Sequence, residues 1–145
     1  MRRAATIVTR VISMAAVLAA ATAGIAAADT VELPERPDYT GVLFADHPAL
    51  VDPHPLRAES WSRLADEHAI AVHFTTGTPQ CYGVHATVTE TPDAVVVDLQ
   101  GGTLPEAAGR ACIMIAVAGS VEVGLQQPVG DRKVLAGSQP LDKSG

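Results

Sequence analysis

Three short stretches between residues 70 and 99 alternate apolar with polar or small side chains. Ile70, Val72 and Phe74 enclose Ala71 and His73; Val84, Ala86 and Val88 alternate with His85, Thr87 and Thr89; Val95, Val97 and Leu99 form the third set. A period of two is that of a half-buried strand, so each stretch is predicted to be one. Residues 75–80, with Gly77 and Pro79, make the first connection. Thr91-Pro92-Asp93-Ala94 has proline at the second turn position, which suits a type I turn. That turn sets a register in which paired positions sum to 185. Thr87 then faces Asp98 and His85 faces Gln100, while Val88 meets Val97 and Ala86 meets Leu99. The apolar phases agree, as a shared buried face requires.

The alternation returns at greater length after Cys112, with Ile113, Ile115, Val117, Gly119, Val121, Val123 and Leu125 in one phase. One long strand bent at Gly119 satisfies the pattern, and so does a hairpin with its loop at residues 118–120. Pro128-Val129-Gly130-Asp131 reads as a turn into a short edge strand over residues 132–135, guarded by Lys133. Upstream the period changes to that of a helix: Trp61, Leu64 and Ala65 fall on one stripe, predicting a short helix over residues 57–67 with Trp61 as a core anchor. Residues 29–56 hold Pro34, Pro37, Pro48, Pro53 and Pro55 and read as extended and irregular, with one short strand over residues 41–45. The expected fold is mainly β with one short helix (α+β), a small antiparallel sandwich or half-open barrel. Its parts are a Pro-rich extended segment (29–56), a β domain with the helix (57–136) and a flexible tail (137–145).

Residues 1–28 stand apart. Arg2, Arg3 and Arg10 precede a small-residue apolar stretch, and Ala26-Ala27-Ala28 supplies a small-x-small cleavage pattern. This is the layout of a cleavable signal peptide, with Asp29 as the first mature residue. The apolar run is rich in Ala and Gly and short for a membrane anchor. No cysteine lies near the cleavage region to accept a lipid, and Arg2-Arg3 lacks the flanks of a twin-arginine signal. The expectation is a secreted or envelope-associated protein with no stable membrane insertion after cleavage.

Removing the signal leaves 7 basic against 16 acidic residues, a net charge of −9 with neutral histidines. Without a basic patch, such a chain repels nucleic acid. The mature 117 residues carry few aromatics, so the core must be aliphatic and modest in area. A covalent staple would help. Cys81 and Cys112 are the only cysteines, and an even count in an oxidising compartment reads as one disulfide. No C-x-x-C spacing supports redox chemistry, and two separated cysteines make a poor zinc site.

Residues 74–135 resemble a group of uncharacterised exported proteins of high-GC Gram-positive bacteria. The resemblance rests on Thr76-Gly77 ahead of Cys81, on Val88-Thr89-Glu90-Thr91 before a valine-rich strand, and on Cys112 some thirty residues after Cys81. Val123-Gly124-Leu125 before Pro128-Val129-Gly130-Asp131-Arg132 completes it. It implies export, a paired disulfide and a compact β module, and no particular activity.

Candidate chemistry is sparse. All five histidines lie in the first half of the mature chain; His47 and His54 read as solvated loop residues. His73 and His85 fall on the polar phase of their strands, with Asp98 diagonal to His85. If the strand of His73 joined the same sheet, the three could form a two-His, one-carboxylate metal site. The plainer reading is a solvated face, and a pH-sensitive pair of imidazoles is a third. Arg132 either braces its turn through carbonyl oxygens or Asp131, or contacts a ligand. No nucleophile elbow, paired acid and base or phosphate loop is present, so the sequence leans away from catalysis and implies no cofactor. What remains is a monomeric binding or structural domain for an extracytoplasmic ligand or envelope component, with metal binding as the alternative.

Overall fold

The computed structural model describes residues 29–137. The predicted signal segment and residues 138–145 of the predicted tail lie outside them. Nine strands form two mixed sheets: β1 (Val31–Glu32), β2 (Val42–Phe44), β3 (Val51–Leu56), β4 (Ser60–Arg63), β5 (Ala69–Thr76), β6 (Tyr82–Glu90), β7 (Ala94–Thr103), β8 (Val117–Gly124) and β9 (Lys133–Ala136). The sole helical element among the described residues is a 3₁₀ turn at Pro105–Ala107.

In the first sheet β7 is central. β6 runs the full length of one side; β9 and β3 share the other, and β1 closes on β9. The β6–β7 register is the one read from the turn, with Thr87 opposite Asp98 and His85 opposite Gln100. The Thr91 amide donates to the Ala94 carbonyl, and the Ala94 amide donates back to the Thr91 hydroxyl. The second sheet is ordered β2-β8-β5-β4. Its inward side chains Trp61, Ile70, Val72, Phe74, Val121 and Val123 share one core with Val84, Val95, Val97 and Leu99 of the first. Five of the strand pairings are antiparallel and two are parallel, β2 with β8 and β9 with β7, so the expected antiparallel sheets are in fact mixed.

The predicted helix over residues 57–67 is absent. Trp61 is instead the inward residue of β4, between the outward Ser60 and Ser62 and opposite Val72. Its amide donates to the Pro34 carbonyl and its carbonyl accepts from the Arg36 amide. Three apolar residues at helical spacing describe a helix too short to stand alone, and this backbone gains a partner on each side as a strand. The Pro-rich segment is likewise more ordered than its composition predicts. It contributes β1, β2 and β3, and Leu33 is buried where the chain crosses from β9 to β4. Pro53 and Pro55 lie on β3, a strand with one open side, where a missing amide costs least.

Residues 112–125 are neither one long strand nor a hairpin. β8 begins only at Val117, because its partner β5 ends at Thr76, directly opposite. Gly119 is no bend. It lies beside Phe74 and Val42, and a Cβ there would stand 2.7 Å from the Phe44 ring and 2.8 Å from the Phe74 ring. These rings pack edge to face, 5.3 Å apart, in the core. Gly119→Ala is therefore expected to cost about 2 kcal/mol by overpacking, read as a lower urea midpoint with the slope unchanged. Finally, residues 132–135 do not form an edge: β9 lies between β7 and β1, and Lys133 forms an ion pair with Glu32 of β1.

Candidate functional site

The polar phase of β5 predicts a solvated His73, and the structure buries it. It does sit on the outward phase of β5, but the segment ahead of β2 folds over that face and lays the Tyr39 ring flat on the imidazole, 3.7 Å between centroids. The Tyr39 hydroxyl donates to the Gly119 carbonyl across the sheet at 3.0 Å. The two ring nitrogens of His73 meet hydroxyls of β4, Nδ1 at 2.8 Å from Ser60 Oγ and Nε2 at 3.0 Å from Ser62 Oγ. A neutral imidazole has one donor and one acceptor nitrogen, and a hydroxyl can match either, so the two serines satisfy the ring in either tautomer. Burial, with the nearby Arg36 guanidinium as second cause, pulls the His73 pKa down to about 4. Burial, then Glu59, pushes the Tyr39 phenol up. A weakly basic imidazole roofed by an aromatic ring is a structural tie, poorly placed to take a proton from a substrate.

His85 and Asp98 are in the other sheet. His85 Nδ1 hydrogen-bonds the Asp46 carboxylate at 3.0 Å, and Asp46 also accepts from the Ala86 amide at 2.8 Å. With the His47 amide donating to Val84, this fastens the chain after β2 to β6. Asp98 lies on β7, where the Gly137 backbone passes so close to its carboxylate that a side chain at 137 has no room. His73, His85 and Asp98 are thus not brought together. Among the described residues no group of three or more His, Cys, Asp or Glu side chains could hold a metal ion. His54, on β3, is exposed, with Nδ1 near the Asp52 carbonyl.

Arg132 is fully engaged at the opposite end of the molecule from the disulfide. Its guanidinium donates to the carbonyls of Thr91, Gln127 and Pro128 and pairs with Glu90 at 3.1 Å, with only 11% of its side chain exposed. Asp131, the neighbour expected to assist, is not its partner; Glu90, 42 residues away, is. Amide donation from Gln126 first, helped by the Gln127 amide and the Arg132 guanidinium, outweighs burial and holds the Glu90 carboxyl below its usual range. Arg132→Met is expected to lower stability by about 1–2 kcal/mol, with the loss concentrated in hydrogen-exchange protection of residues 126–132.

The remaining distinctive surface is apolar. Cys81 and Cys112 form the disulfide, over a small cluster of Leu104 and Ala107 edged by Leu50 and Tyr82. From Cys112 the chain runs without turn or bend to β8, leaving Ile113 64%, Met114 90% and Ile115 52% exposed. Beneath it lies a groove of about 420 Å³, walled by His54, Thr76, Gly77, Tyr82 and Gly102. The alternation predicts a strand with one apolar face over this run. The signal against it is a count: thirteen alternating residues, 113–125, face a partner strand that ends at Thr76 opposite Val117, so the first four have nothing to pair with. No family model, no curated protein and no solved structure matches the chain.

Proposed function

We propose that this is a non-catalytic binding or structural domain of the extracytoplasmic space, acting through the apolar segment Ile113-Met114-Ile115. The observation that carries this reading is that three consecutive large apolar side chains stand in water on a segment anchored by a disulfide. Exposed apolar surface of this kind marks contact sites, and anchoring lowers the entropy lost when such a site engages. The disulfide supports an oxidising compartment. Among the described residues no helix is long and apolar enough to cross a membrane. The groups with chemical potential are committed elsewhere: His73 to two serines and Tyr39, His85 to Asp46, Arg132 to Glu90 and three carbonyls.

The test is turnover on a panel of ester, peptide, glycoside and phosphoester substrates, run on the mature chain and on His73→Gln and His85→Gln. No turnover above the buffer is expected. Turnover that either substitution abolishes would overturn the reading.

A further inference from the structure

We propose that the segment Cys112 to Ala116 pairs as a β-strand with the same segment of a second copy, antiparallel about a two-fold axis at Met114. This rests on the reading of that segment as the contact surface and names its partner.

Four observations support it. First, the segment is strand without a neighbour. β8 loses its partner where Thr76 faces Val117, and among the described residues nothing hydrogen-bonds the backbone of residues 113–116. A row of free amides and carbonyls beside β-branched side chains is a template for another strand. Second, the sequence is nearly self-complementary about Met114. In an antiparallel pair whose positions sum to 228, Ile113 meets Ile115 of the copy and Met114 meets Met114. Four isoleucines then gather on one face and two methionines on the other, while Ala116 lies opposite Cys112. An isologous contact requires this property. Third, the charge allows it. The chain has a net charge of −6, yet between Ala107 and Val121 the only charged residue is Arg110, and no carboxylate lines the groove beneath. The segment itself therefore brings no negative charge against its copy. Fourth, free backbone groups disfavour a lipid surface, because each amide or carbonyl left unpaired in hydrocarbon costs several kcal/mol. A second strand satisfies them.

Five residues a side is a small contact beside the roughly 20–30 of a standard interface. The dimer is therefore weak, with a dissociation constant on the order of 10⁻⁴ M. Sedimentation velocity from about 10 μM to 1 mM, with hydrogen exchange at both ends of the range, tests it. The expected result is a reversible dimer in which the amides of residues 113–116 gain protection with concentration. Met114→Lys places two like charges on the axis and should weaken it at least tenfold, whereas Leu43→Lys, at another exposed apolar site on β2, should not. Met114 is nearly fully exposed, so the variant keeps its fold, checked by near-ultraviolet circular dichroism. A monomer at 1 mM, a dimer indifferent to Met114→Lys, or a dimer with residues 113–116 unprotected overturns the proposal. So does a solution monomer that binds phosphatidylcholine vesicles through Met114, which assigns the segment to lipid. The turnover panel is independent: failure of the dimer without turnover leaves the non-catalytic reading standing.

Discussion

Lowering the pH from 6.5 to 4 is expected to destabilise the folded chain by about 3 kcal/mol through His73 alone. The imidazole is 1% exposed, its nitrogens face two hydroxyls and its ring is covered by Tyr39, so the folded state holds it neutral down to pH about 4. In the unfolded chain it takes up a proton near its ordinary value of 6.5. Between those two values the unfolded state binds more protons, so stability falls as pH falls and is fully present only above about 6.5. Below pH 4 both states are protonated and the loss stops growing. Glu90 acts in the same direction at lower pH: its carboxyl is held below the ordinary 4.5, so its contribution is lost only as the pH drops past that value. Urea midpoints at pH 7.0, 6.0, 5.0 and 4.5 isolate the histidine. Wild type should show a falling midpoint, and His73→Gln, weaker at pH 7 for want of the ring contact with Tyr39, should show a much flatter series. Equal slopes in the two proteins would place the acid sensitivity elsewhere.

His73 also shows where the sequence ceased to be legible. Alternation assigned it to the outward phase correctly, but phase does not say what covers a face. The cover comes from Tyr39, thirty-four residues upstream in a stretch read as irregular. The β6–β7 hairpin was legible to the residue because turn and pattern are both local, and they agree on one register. Trp61 was legible as core and not as strand, since a stripe of three residues fits either period until the partners at Pro34 and Val72 are known. The candidate metal set failed on topology: β5 went to the other sheet, and His85 found its carboxylate at Asp46, thirty-nine residues away, rather than on the neighbouring strand. The exposed segment ahead of β8 was hidden because the apolar pattern there continues after the pairing has ended.

That segment gives the disulfide its importance, and removing the bond is expected to cost about 3–4 kcal/mol. The crosslink spans 31 residues, and closing a loop of that length removes this much chain entropy from the unfolded state. The 117 residues from Asp29 onward, with an aliphatic core, have little stability in reserve. Cys81→Ala/Cys112→Ala should therefore lower the urea midpoint by on the order of 2 M. The consequence is also local. Cys81 is buried under Leu104 and Ala107, whereas residues 113–116 have no hydrogen bond among the described residues to hold them, so Cys112 is their anchor on that side. Limited proteolysis of the double variant at neutral pH should begin within residues 108–116 while the β6–β7 hairpin is still protected. If cleavage instead starts uniformly along the chain, or the midpoint moves by less than about 0.5 M, the disulfide does not anchor the apolar segment. The rigidity required of residues 113–115 as a contact surface would then have to come from the groove beneath them.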